Sequence, residues 1–173
     1  MAFWPQTTRA LFTFHRSVLV TLRTLSTTMS PTTAEIQNKF LSSPYYAVIG
    51  ASKDQTKYGT KVLKWYQARE YKVTPLHPKE SELEGLATLK SVSDLPNPKE
   101  TSISIVTPPK VTLGALQLAK ELDVPALWLQ PGAEDEAVIE YIKENLADRV
   151  IYGGPCLLVS GDDIAQGLKK SNL

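Results

Sequence analysis

From residue 45 onward, short apolar runs alternate with stretches of helical periodicity. Residues 45–50 (YYAVIG) read as a strand ending in glycine. Residues 72–76 (KVTPL), 101–106 (TSISIV), 126–129 and 149–152 read as four more. Pro75, which has no N–H for a ladder, suggests that the second strand leaves its pairing there. Between the strands, Gly59 opens a helix (TKVLKWYQARE) whose Val62, Leu63 and Tyr66 can face a sheet. Residues 110–122 and 134–145 have the same character, and residues 162–169 could form a last helix after Gly161. Residues 86–89 read as a brief strand and 92–95 as a helical turn closed by Pro96. Ahead of the first strand, Thr32 and Glu35 make a capping-box pattern for a short helix through Leu41, broken by Ser43-Pro44.

Strands alternating with helices imply parallel pairing through right-handed crossovers. The expected fold is α/β: a Rossmann-like, doubly wound, mostly parallel sheet of about five strands with helices on both faces. Residues 34–173 would form this single domain, and its ligand would lie at the carboxyl ends of the strands.

Residues 1–33 break the pattern. They are rich in Ser and Thr and hold Arg9, Arg16 and Arg23 with no acid. On a helix those arginines share one face, while Leu11, Phe14, Val18, Leu22 and Leu25 fall opposite. This is the composition of a mitochondrial presequence, so the matrix is the expected location; a tail with accidental periodicity is the alternative. Arg16 and Arg23 interrupt the apolar core that a secretory signal needs. Initiation at Met29 would give a cytosolic form of the same domain. From Glu35 onward 16 basic and 18 acidic residues leave a net charge of −2, which does not advertise nucleic-acid binding. No apolar run is long enough for stable membrane insertion.

The chemistry must sit in the turns after the strands. Residues 50–59, Gly50-Ala51-Ser52-Lys53-Asp54-Gln55-Thr56-Lys57-Tyr58-Gly59, form a polar loop between a strand and a helix. Such a loop can bring backbone N–H groups and a helix dipole to a phosphate. Its spacing departs from the G-x-G-x-x-G dinucleotide fingerprint. After the second strand, where NAD-binding sheets place an acid for the ribose hydroxyls, stand His77, Pro78 and Lys79. Lys79 could pair with a ribose phosphate, as in NADP or the 3′-phosphate of coenzyme A, or be a solvated surface lysine.

VIGASKDQTKYGTKVL, PLHPKE, VTPP, LWLQPGAEDE and GGPCLLV resemble, in order and spacing, the CoA-binding domain family. That family includes stand-alone bacterial proteins and the amino-terminal domain of the succinyl-CoA synthetase alpha subunit. The resemblance runs from about Pro44 to Ser160 and implies binding of coenzyme A or an acyl-CoA. It implies that Gly50, Ala51, Ser52, Lys57, Tyr58 and Gly59 wrap the CoA phosphates, and that His77, Pro78 and Lys79 take the adenosine end. Thr107, Pro108 and Pro109 would line the adenine and pantetheine groove, with Gln130, Pro131 and Gly132 closing the far side. The family usually has Asn before the Pro-Lys pair, where this chain has His77.

Catalytic machinery is not evident. The histidine-bearing second domain of the synthetase subunit is missing, and His77 is the one histidine outside residues 1–33, so a nucleophile would lack a separate base. Glu134, Asp135 and Glu136 fall in the first turn of a helix, where the dipole favours acids, so no metal is expected. Cys156, the single cysteine, follows Gly153-Gly154-Pro155 at the edge of the expected cleft. It is either a thiol contact, open to a mixed disulfide with CoA or to oxidation, or a small buried hydrophobe. Binding of CoA without catalysis is the leading function. An NADP-dependent oxidoreductase and an interaction module with a vestigial pocket are the alternatives, and a homodimer or a partner enzyme stays open.

Overall fold

The computed structural model describes Met1 and residues 30–171, so most of the expected presequence lies outside the described residues. Helix α1 (Thr33–Leu41) begins with the capping box: Glu35 N–H donates to Thr32 Oγ1 at 3.3 Å, and Thr32 N–H donates to Glu35 Oε2 at 2.6 Å. Then follow β1 (Tyr45–Ile49), α2 (Tyr58–Gln67), β2 (Val73–Leu76), β3 (Glu82–Leu83), β4 (Leu86–Ala87), β5 (Thr101–Ile105), α3 (Pro109–Glu121), β6 (Leu127–Leu129), α4 (Glu136–Asn145), β7 (Val150–Ile151) and α5 (Leu157–Ser171). Single 3-10 turns cover Val92–Asp94 and Pro98–Glu100.

The five long-range strands form one parallel sheet in the order β2-β1-β5-β6-β7. Strand alternation splits the core into two chemically different layers. Ala47, Ile103, Ile105, Leu127 and Leu129 meet α3 and α4 through Leu116, Val138 and Ile142, an aliphatic layer. Tyr46, Val48, Trp128 and Ile151 meet α1, α2 and α5 through Phe40, Trp65, Tyr66 and Leu157, an aromatic layer. Phe40 meets Trp128 edge-on at 5.3 Å, and Tyr46 lies 4.9 Å from Tyr66. Each fully buried large side chain contributes roughly 1.5–3 kcal/mol through area removed from water. Ser102 and Ser104 of β5 point into the aromatic layer, and their hydroxyls are satisfied by Ser43 Oγ at 2.7 Å and Tyr66 Oη at 2.9 Å. Burial pushes the Tyr66 phenol well above its ordinary range.

Two local expectations are corrected, at Pro75 and at the start of α5, and the brief strand gains a partner. Pro75 remains paired in β2, opposite Val48. Its carbonyl accepts from Leu89 N–H at 3.1 Å and His77 N–H donates to the Leu89 carbonyl at 2.8 Å, so these alternate residues point away from β1 and the missing N–H breaks no bond with it. The brief strand near residue 86 is the second arm of a two-residue hairpin whose turn, Glu84 and Gly85, has φ of +51° and +75°. Helix α5 starts at Leu157, five residues before the expected Asp162. Gly161 lies inside it because a Cβ there would sit 2.7 Å from the Trp65 ring; it is a packing contact between α5 and α2.

Candidate functional site

The order of the sheet reverses between β1 and β5, so the loops leaving these two strands diverge and open a crevice. Two glycines set its geometry. Gly50 has φ +102°, and a Cβ on it would come within 2.2 Å of the Val106 carbonyl oxygen. A Cβ on Gly59 would come within 2.0 Å of the Gly50 carbonyl oxygen. Residues 50–59 thus return to their own start, and α2 begins directly against the end of β1. The buried Thr60 hydroxyl locks this return, donating to the Ser52 carbonyl at 2.8 Å and accepting Ser52 N–H at 3.2 Å.

The middle of the loop is an Asx turn. Asp54 Oδ1 accepts from Thr56 N–H at 2.8 Å and from Thr56 Oγ1 at 2.6 Å, and these bonds hold the Asp54 carboxyl below its usual range. Gln55 and Lys64 both bond Glu84, pinning the loop to the β3–β4 hairpin. At Lys57, the N-cap of α2, no side chain among the described residues caps the helix, and the first turn holds no acid. The first N–H groups of α2 therefore remain available to an anion.

Beside this helix start lies a cleft of about 520 Å³. Tyr58, Val106, Thr107, Pro108, Pro109, Gln130, Pro131, Gly132, Ala133 and Cys156 line it, a mostly apolar wall. Thr107 is held by the first turn of α3, since Thr112 Oγ1 lies 3.0 Å from both its hydroxyl and its carbonyl oxygen. Gln130 directly follows β6 and is 3% exposed. Its Oε1 accepts from Leu157 N–H at 3.0 Å, capping α5, and its buried Nε2 has no partner among the described residues. The bond fixes the amide orientation, because a flipped amide would set NH₂ against N–H. Cys156 is half-buried and immediately precedes α5.

The cleft therefore gathers Tyr58, Thr107, Pro108, Pro109, Gln130, Pro131, Gly132 and Cys156 of the expected site. Gly50, Ala51, Ser52, Lys57 and Gly59 form the loop that frames it. His77, Pro78 and Lys79 occupy the next turn, after β2, and do not line it. There His77 Nδ1 accepts from Lys79 N–H at 3.2 Å and Glu80 N–H at 2.9 Å, as the side-chain oxygen of an Asn does in an Asx turn. Pro78 and Lys79 are exposed. Asp135 serves as the N-cap of α4, accepting Val138 N–H at 3.0 Å. Sequence reasoning missed Val106 and Ala133, which flank motif residues already named. It also missed the bridge from Lys53 to Glu80 at 2.5 Å, which ties the first turn to the second and holds the Glu80 carboxyl below its usual range.

Comparison with known proteins agrees with this frame. The family model described as the CoA binding domain matches residues 45–162. The chain is 25% identical over 131 residues to the protein YneT of Bacillus subtilis (strain 168), a match covering 76% of this chain and 95% of that protein. Among solved structures, a conserved hypothetical protein from Pyrococcus furiosus is 36% identical, with a TM-score of 0.61 over 67% of this chain and 97% of that one. A hypothetical protein from Pyrococcus horikoshii shares the fold, at a TM-score of 0.67 and 22% identity, over 78% of this chain and 92% of its own.

Proposed function

The chain belongs to the CoA-binding domain family, and from that premise we propose that it binds coenzyme A or an acyl-CoA across the carboxyl ends of its strands without catalysing a reaction on it. One observation supports this above the others: an uncapped α2 start, held by Gly50 and Gly59 at the β1/β5 reversal, opens beside an apolar cleft. A pyrophosphate needs the first of these features and a pantetheine arm the second. In this reading Ala51, Ser52, Lys57 and the Tyr58 and Gly59 amides receive the phosphates. Thr107, Pro108 and Pro109 face the arm on one side, and Gln130, Pro131 and Gly132 face it on the other. Pro78 and Lys79 take the adenosine end in the turn that His77 shapes. None of these groups pairs a nucleophile with a base, and the His77 Nδ1 lone pair is already engaged by the backbone.

Calorimetric titration with CoA, dephospho-CoA and NADPH tests the reading. CoA binds most tightly, and Lys79→Ala weakens it by about tenfold, the exposed end of the range for a charge-assisted hydrogen bond, while leaving dephospho-CoA unaffected. Equal binding of CoA and dephospho-CoA would remove the role given to Lys79. A tight, reducible NADPH complex would make the protein an oxidoreductase, and absence of all binding would leave an interaction module. The matrix location, with a cytosolic form from Met29, is part of the same proposal; fluorescent fusions starting at Met1 and Met29 separate the two.

A further inference from the structure

Across the sheet, the strand order β2-β1-β5-β6-β7 sets the order of the loops at its carboxyl edge. Lys79 follows β2, the Gly50–Gly59 loop follows β1, Pro108 and Pro109 follow β5, Gln130 follows β6, and Cys156 follows β7. From β1 to β7 is three strand steps, roughly 14 Å at the usual strand spacing. The pantetheine arm from its phosphate ester oxygen to its sulfur has about a dozen bonds, equal to four residues of extended chain, roughly 14 Å. A ligand whose phosphates sit at the start of α2 and whose arm crosses the cleft therefore brings its sulfur to Cys156.

A second feature at that end asks for the same ligand. Gln130 is 3% exposed and lines the cleft, its Oε1 is committed to Leu157 next to Cys156, and its Nε2 has no partner among the described residues. A buried unpaired donor is costly unless an acceptor, from water or from a ligand, reaches it. The terminal amide carbonyl of pantetheine, a few bonds from the sulfur, is such an acceptor, and a bond to it would hold the thiol end beside the half-buried Cys156.

We propose that Cys156 is the capture point for CoA-bearing disulfides, forming a mixed disulfide with the CoA sulfur inside the cleft. The Cys156 thiol loses its proton to solvent, and its sulfur attacks one sulfur of a CoA disulfide. The S–S bond of the disulfide breaks, a Cys156–S–S–CoA bond forms, and the second CoA leaves as a thiolate that takes up a proton. Cys156 is oxidised and the departing CoA is reduced, so the CoA disulfide is the only co-reactant. The proposal rests on the CoA reading above.

Intact-mass spectrometry of the reduced full-length chain during incubation with CoA disulfide or with glutathione disulfide tests it. As the chain has one cysteine, the mass shift locates the adduct. The expected result is one CoA per chain, released by dithiothreitol. The adduct forms at least about tenfold faster than with glutathione disulfide, because binding precedes reaction and raises the effective concentration. Saturating desulfo-CoA, which fills the cleft but has no sulfur, removes that advantage. Equal rates with the two disulfides, or no adduct in a sample that still binds desulfo-CoA by calorimetry, overturns capture at Cys156 and leaves the CoA reading standing. A sample that binds neither CoA nor desulfo-CoA overturns both.

Discussion

Replacing Gly59 with alanine separates the loop geometry from ordinary helix chemistry. Glycine to alanine inside a helix is normally stabilising, by up to about 1 kcal/mol. At Gly59 the added Cβ would sit 2.0 Å from Gly50 O, 2.4 Å from Gly50 C and 2.7 Å from Ala51 N, all backbone atoms. No rotamer change relieves such a contact; α2 must retreat from β1 by more than an ångström. Overpacking of this kind destabilises by roughly 1–3 kcal/mol or more, enough to reverse the propensity gain. Gly114 in α3 and Gly167 in α5 are matched controls, since a Cβ on either meets nothing within 4 Å. Urea unfolding followed by far-ultraviolet circular dichroism should move the Gly59→Ala midpoint down and the Gly114→Ala and Gly167→Ala midpoints up, with unchanged slopes. CoA affinity should fall with Gly59→Ala and stay level in the controls, because only the first displaces the α2 amides. A Gly59→Ala protein as stable as the wild type would refute the tight return of the loop.

Thr60→Val should destabilise the fold by about 1–3 kcal/mol, as Ser52 N–H and C=O lose their shared partner, and should weaken CoA binding; unchanged urea midpoint and affinity would count against the lock. Alkaline pH should act through Tyr66, whose folded pKa is raised by burial. Its contribution is fully present below the ordinary phenol value of about 10 and is lost as pH rises above it, because the unfolded chain ionises first, with a slope of up to about 1.4 kcal/mol per pH unit. Urea midpoints measured across that range should fall more steeply for the wild type than for Tyr66→Phe, and parallel curves would exclude the phenol as the cause.

The alternation of strands and helices was legible because each strand is a short apolar run and each helix has its own periodicity. Gly161 misled, since glycine marks a boundary when read locally, whereas here its missing side chain admits the ring of Trp65, about a hundred residues earlier in sequence. Pro75 misled for a related reason: its missing N–H matters only on the side facing β1, and which side that is depends on the register. At the site, the motifs pointed to the loops that the cleft gathers, because glycine and proline leave visible marks. The work of Gln130 was not visible. Its partner, the Leu157 N–H, meets it only after β6 and α5 pack. The same holds for the Lys53–Glu80 bridge and for the clamp that Gln55, Lys64 and Glu84 place on the loop tip.

The aromatic layer has an optical consequence. Trp128 is fully buried, its ring meets Phe40 edge-on, and its indole N–H donates to the Pro155 carbonyl at 2.9 Å, one residue before Cys156. Whatever shifts that carbonyl alters the hydrogen bond of an indole that solvent does not reach. Emission from Trp128 is thus a built-in gauge of the segment between β7 and α5, sited behind the sheet where a ligand cannot quench it by contact. A stopped-flow fluorimeter could follow the filling of the cleft on an unlabelled chain, with Trp128→Phe as the blank.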